Sequence, residues 1–164
     1  MKTLYLIRHS KSDWANEALA DIDRPLNARG YTNAHEMGVR LKKKNEIPQL
    51  IISSNAIRAM STAAILLGEL GLDGENYQVN ERLYDATVDG LMQELRSIDN
   101  RYKVVFVVCH NPGITHIVNR IADAAIDAMP TTGVACIDLP LETWASVGDS
   151  EGKLRYFDFP RNKD

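Results

Sequence analysis

The sequence predicts a three-layer α/β/α domain on an open, mostly parallel sheet, with an antiparallel element near the C-terminus. Three observations carry that reading. Short continuous apolar runs, Leu4 to Ile7, Leu50 to Ile52 and Val104 to Cys109, alternate with segments whose apolar residues recur at helical spacing. Uninterrupted runs of this kind suit strands buried on both faces, as in a parallel sheet. Toward the C-terminus the pattern changes, and strand-like stretches follow one another with turn residues between them. A chain of 164 residues is long enough to bury a real core, and it is read as a single domain over residues 1–164.

Leu4 to Ile7 is the first strand, followed by Arg8 and His9 and then by turn-favouring Ser10, Lys11, Ser12 and Asp13. Lys11 to Leu26, with Trp14 and Pro25, is an irregular loop over the carboxyl end of that strand, a place where loops tend to carry function. From Arg29 to Lys44, Ala34, Met37, Gly38 and Leu41 share a helical face, and Arg40, Lys42, Lys43 and Lys44 crowd the end that the helix dipole favours for cations. His35 lies off that face and is assigned to solvent. Leu50-Ile51-Ile52 is a second buried strand. Ser53, Ser54 and Asn55 offer capping oxygens for a helix from Ala56 to Leu70, with Gly71 as a left-handed terminator. Tyr77 to Val79 is a short strand, Glu81 to Asp85 a loop, and a helix runs from Asp89, its candidate cap, to Ile98. Val104 to Cys109, a continuous run of β-branched valines around Phe106, forms the next strand. Asn111 suits an N-cap and Pro112 the first helical position of a helix to about Ala122. Val134 to Leu139, Thr143 to Val147 and Leu154 to Phe159 are assigned as strands, the last two joined by a hairpin at Gly148 to Gly152.

Composition narrows the partners. A net charge of -3 provides no polyanion-binding field, so nucleic acid is not expected as a general partner. No apolar run approaches membrane-spanning length, and the four apolar residues before Arg8 are too few for a signal peptide. Cys109 and Cys136 fall inside apolar runs without metal-like spacing. They are expected to be buried thiols in a reducing, cytoplasmic setting.

Chemistry-bearing side chains cluster at three strand ends: Arg8-His9, Arg58 in the first turn of its helix, and His110-Asn111-Pro112. In an open parallel sheet these ends share one rim, where ligands bind. Two guanidiniums near helix amino termini describe an anion site, because Arg grips phosphate oxygens bidentately and the helix ends add N–H donors. Two imidazoles beside them suggest catalysis, one attacking as a neutral nucleophile and the other stabilising developing negative charge.

Four motifs, in order, carry a resemblance: Leu6-Ile7-Arg8-His9-Ser10; Arg24-Pro25-Leu26-Asn27-Ala28-Arg29-Gly30; Ser53-Ser54-Asn55-Ala56-Ile57-Arg58-Ala59 with Ser61-Thr62-Ala63; and Cys109-His110-Asn111-Pro112-Gly113. Together they resemble the histidine phosphatase superfamily, also called phosphoglycerate mutase-like. The short length, Lys11-Ser12-Asp13-Trp14 and the last motif look most like its small phosphohistidine phosphatases of the SixA type. The resemblance implies the phosphoglycerate mutase-like fold and a hydrolase working through phosphohistidine. His9 matches the attacking histidine, and Arg8, Arg58 and His110 match the residues that hold the phosphoryl oxygens. Glu81 falls where larger relatives carry a carboxylic proton donor. Ser10 replaces the family's usual glycine, and its small side chain should still let the backbone approach phosphate.

Around these, Ser10, Lys11, Ser12 and Asn111 are candidates to touch phosphate or shape its entrance. Trp14 is a candidate lid, and Asp23 and Arg24 are expected to brace the loop. His116 does not form an i,i+4 zinc pair with His110. Neither cofactor nor metal is expected, since the arginines and His110 supply the positive charge. The implied substrate is a phosphohistidine protein of a signalling relay or sugar-transport carrier. Small phosphate esters are the alternative, and a mutase or a non-catalytic phosphate-binding module are lesser ones. Oligomeric state is not legible.

Overall fold

The computed structural model describes residues 1–161 and arranges them around one six-stranded sheet. Its strands are β1 (Lys2–Arg8), β2 (Leu50–Ser53), β3 (Tyr77–Val79), β4 (Val104–Cys109), β5 (Val134–Leu139) and β6 (Lys153–Asp158). Their order is β3-β2-β4-β1-β5-β6. The first four in that order are parallel to one another, and β5 and β6 follow antiparallel, β5 to β1 and β6 to β5. The helices are α1 (Ala28–Lys43), α2 (Ile57–Glu69), α3 (Val88–Arg96) and α4 (Gly113–Ala122).

Side-chain alternation on the strands separates the core into two layers. Leu4 and Leu6 of β1, with Val105 and Val107 of β4, pack against Leu91 and Leu95 of α3 and Ile114, Ile117 and Ile121 of α4. Tyr5 and Ile7, with Phe106 and Val108, pack on the other face against Met37 and Leu41 of α1 and Ala59, Ala63 and Leu66 of α2. Two helices on each face of a mostly parallel sheet is the expected three-layer α/β/α architecture. No helix among the described residues is long and apolar enough to cross a membrane. Cys109 and Cys136 are both buried free thiols.

Helix ends are set by capping that local spacing only partly reveals. The Asn27 side chain accepts from Gly30 N at 2.7 Å and starts α1. Thr87, rather than Asp89, caps α3 by accepting from Gly90 N. Ser54 accepts from Ala56 N at 3.3 Å just ahead of α2, and Gly71 takes the expected left-handed conformation (φ 71°) after it. Asn111 does not cap α4, whose first residue follows Pro112. Its side chain turns instead to Thr115 and Met129.

One strand assignment is corrected. Thr143 to Val147 is not a strand: Trp144–Ser146 form a 3₁₀ turn. Trp144 is fully buried, with its backbone N donating to Asn100 Oδ1 and its indole Nε1 to Tyr102 O. Those long-range bonds outweigh the strand-like alternation. The hairpin at Gly148 to Gly152 falls with it, and β6 pairs with β5 instead.

Candidate active site

The carboxyl ends of β1, β2 and β4 meet at one rim. Residue pairing of β1 with β4 ends at Arg8 opposite Cys109, so the next residues, His9 and His110, emerge side by side with ring centroids 5.0 Å apart. His9 N donates to Cys109 O, and Ser54 N to Val108 O, which continues the ladder into the site. Arg58 enters from the first turn of α2. These groups open onto a cavity of about 300 Å³, lined by Arg8, His9, Arg58, His110 and Asn111 together with Lys11 and Ser12. Trp14, Asp21, Arg24 and Thr131 complete its walls.

Both nitrogens of His9 are assigned by their partners. Nδ1 lies 2.7 Å from Ser10 O, a carbonyl that can only accept, so Nδ1 carries the proton. Arg58 Nε donates to Nε2 at 3.4 Å, so Nε2 holds the lone pair. Burial, with smaller repulsion from His110, Arg58 and Arg8, pushes the imidazole down to about 3 against its hydrogen bond to Ser10. His9 is therefore neutral at physiological pH, with a nucleophilic nitrogen facing two guanidiniums and a second imidazole.

The cations around it are rigidly placed. Arg58 is buried, its Nη1 donating to Asp21 O at 2.7 Å and its Nη2 to Asp21 Oδ2 at 2.9 Å. The Tyr84 hydroxyl donates to the same carboxylate oxygen at 2.6 Å and, with Arg58, holds Asp21 below the usual carboxylate range. Arg8 Nη1 and Asn111 Nδ2 both donate to Met129 O. Burial and the neighbouring Arg58 lower the Arg8 guanidinium from its ordinary value. His110 shares a 2.5 Å hydrogen bond between its Nε2 and Ser54 Oγ. Burial first, then the charge of Arg58, pushes it down to about 4. Arg8 Nε and His110 Nδ1 are buried without a hydrogen-bond partner among the described residues. Buried polar nitrogens are costly to leave unpaired, and these two belong to residues that line the cavity.

Ser10 is placed beneath the cavity rather than on its wall. Its backbone N donates to Thr62 Oγ1, and its Oγ donates to Gly30 O and shares a hydrogen bond with Thr132 Oγ1. It does not have a positive φ, so the serine introduces no left-handed strain. Its role is to tie the turn after β1 to α1, α2 and the segment before β5. Ser12 lines the cavity while accepting from Arg24 Nη2 at 2.9 Å. Arg24, buried, stacks on Trp14, which is itself 72% exposed at the rim. Glu81 is exposed in the 3₁₀ turn Glu81–Leu83 and is not among the residues lining the cavity. Neither is Asp23.

Asp21, Ser54, Thr62, Thr132 and the Met129 carbonyl escaped sequence reasoning. Each acts on a residue 37 or more positions away, except in the Asn111–Met129 bond, so no local spacing announces it. Asp21 sat in a stretch already marked as a site loop, and Ser54 and Thr62 in a quoted motif, but none was assigned its partner there.

The chain is 29% identical over 165 residues to an uncharacterised protein of Mycobacterium tuberculosis (strain H37Rv), covering 94% of this chain and 100% of that one. The structure of the protein histidine phosphatase SixA complexed with tungstate superposes with TM-score 0.82 at 21% identity, covering 99% of both chains. The native structure of mycobacterial glucosyl-3-phosphoglycerate phosphatase superposes with TM-score 0.67 at 18% identity, covering 97% of this chain and 98% of that one. These superpositions establish a shared fold. The family model described as histidine phosphatase superfamily (branch 1) matches residues 4–89, just over half of the chain, and includes Arg8, His9 and Arg58. The chain belongs to the histidine phosphatase superfamily.

Proposed function

We propose that the enzyme is a metal-independent phosphatase that works through a covalent phosphohistidine on His9 and acts on phosphohistidine proteins. The observation that carries this reading is the assigned tautomer of His9, a neutral ring whose free Nε2 lone pair is set among Arg8, Arg58 and His110. Nε2 attacks phosphorus in line as the bond from phosphorus to the leaving group breaks, its electron pair going to the leaving atom. Arg8 and Arg58 take the equatorial oxygens, replacing the weak contact of Arg58 with Nε2. Ser54 donates its hydroxyl proton to His110 Nε2, which places the His110 proton on Nδ1 as a further donor to the oxyanion. Water then attacks phosphorus, the bond to Nε2 breaks and neutral His9 is regenerated. These donors supply the positive charge that metal ions bring to other phosphoryl-transfer sites.

The leaving group favours the substrate class. The carboxylate lining the cavity, Asp21, is held ionised by Tyr84 and Arg58, and Glu81 lies off the wall. Among the described residues, the lining therefore holds no carboxylic acid ready to protonate an alkoxide. An imidazole leaving from phosphohistidine needs such an acid far less than an alcohol does. The resemblance to the SixA type points the same way, and a cytoplasmic setting fits that role. The test is brief incubation with a labelled phosphoryl donor and an alkaline quench, with EDTA present throughout. Acid-labile phosphate should appear on His9, and phosphohistidine proteins should be turned over faster than metabolite esters. Full activity of His9→Ala would overturn the assignment.

A further inference from the structure

A second pocket of about 280 Å³ adjoins the phosphoryl cavity and shares Lys11 and Thr131 with it. Its remaining charged lining is Arg29 and Arg161, and no acidic residue among the described ones lines it. None of Lys11, Arg29 and Arg161 forms an ion pair among the described residues. In a chain of net charge -3, the two cavities together gather six cations against one carboxylate, Asp21. Only Arg24 and Arg58 of the six lie near that carboxylate.

The walls of this pocket are built, not incidental. Asn27 caps α1 and sets Arg29 in its first turn. Gly30 lies so close that a Cβ there would overlap the Lys11 carbonyl oxygen, and Asn27 N donates to that same oxygen. Lys11 is thus held against the amino end of α1. Arg40 pins the segment after β6, donating to Asp158 Oδ1, Phe159 O and Pro160 O. That fastening brings Phe159, Pro160 and Arg161 into the same lining as Arg29. Apolar Pro130, Phe159 and Pro160 lining the same pocket as three cations that are unpaired among the described residues suit an organic anion with an apolar stem.

We propose that this pocket is a specificity subsite for a second anionic group, a carboxylate or phosphate, carried on the same substrate as the scissile phosphoryl group. It rests on the phosphatase reading and adds what the substrate must bear beside its reacting centre. Two sources offer that chemistry: an acidic side chain flanking the phosphohistidine of a protein, or the second acid group of a small ester.

The experiment compares wild type with Arg29→Gln/Arg161→Gln on two matched pairs. One pair is phenyl phosphate and its carboxylated analogue. The other is a histidine-phosphorylated peptide with Glu or with Gln beside the phosphohistidine. The variant should raise KM about tenfold for the carboxylated member of at least one pair while leaving phenyl phosphate within about twofold. A response confined to the peptides assigns the anion to a protein, and one confined to the aryl esters assigns it to a small molecule. Equal effects on charged and uncharged members, or no effect on either, would overturn the proposal. Should wild type hydrolyse none of them, the phosphatase reading fails, and calorimetric binding of phenylphosphonate against its carboxylated analogue decides the subsite separately. A preference of about tenfold that the variant abolishes supports it, and equal binding overturns it.

Discussion

Moving the protein from about pH 7 to about pH 5 should remove roughly 3 kcal/mol of stability through His9 and His110. Both rings are held below the ordinary value of 6.5, to about 3 and about 4. As pH falls, the unfolded chain therefore takes up these protons before the folded protein does. The stabilisation from keeping the rings neutral is complete above 6.5 and is lost as pH descends toward the folded values. At about pH 5 each unfolded histidine is protonated by about 1.5 pH units, worth roughly 2 kcal/mol apiece. His110 is partly solvent-exposed, which reduces its share and brings the pair to about 3 kcal/mol. At about 2–4 °C per kcal/mol for a chain of this size, the melting temperature should fall by about 6–12 °C. Thermal unfolding followed by circular dichroism at both pH values, in wild type and in His9→Asn/His110→Asn, measures it. Carboxylates contribute the same background to both proteins, so the difference between them isolates the two rings. A double variant that loses as much stability as wild type would refute the buried-neutral account. Because Nε2 of His9 stays unprotonated over this range, kcat/KM should also lack an acidic limb near 6.5.

Three substitutions extend the reasoning. Arg58→Lys keeps the charge but cannot span Asp21 and His9 together, so kcat/KM should drop about a hundredfold or more in steady-state assays, and a change under about threefold would contradict it. Ser54→Ala frees the His110 ring to take either tautomer, so kcat should fall about tenfold with KM unchanged, and Ser54→Thr should recover most of it; matched losses in both variants would count against the tautomer role. Gly30→Ala drives a methyl into the Lys11 carbonyl, and chemical denaturation should register about 1–3 kcal/mol of destabilisation, with an unchanged midpoint speaking against the close packing.

The strand ends were readable because their signals are local. Leu4 to Ile7 and Val104 to Cys109 are unbroken apolar runs, and the polar groups after them can only stand at the sheet's edge. Arg58 was placed by the same logic, one turn into a helix that follows a strand. What supports these groups depends on distant chain segments meeting. Asp21 reaches Arg58 across 37 positions and Ser10 reaches Thr132 across 122, and neither is flagged by its neighbours. Trp144 shows the converse error. The segment around it alternates as a strand does, yet its bonds to Asn100 and Tyr102 close it into a turn. Ser10 was legible as a small residue at a tight place but not as a fastener, because its three side-chain and backbone partners come from three other parts of the fold.

The juxtaposition of β1 and β4 has a consequence for how such an enzyme can change. Neighbouring strands lie about 4.8 Å apart, and the two imidazoles that follow them are 5.0 Å apart, so the distance between attacker and helper is inherited from backbone pitch. The mouth, by contrast, is furnished by segments that run outside the sheet, among them Lys11, Trp14 and Thr131. Grafting a different mouth onto this frame would redirect which molecules are admitted while the reacting nitrogen stays where the sheet puts it.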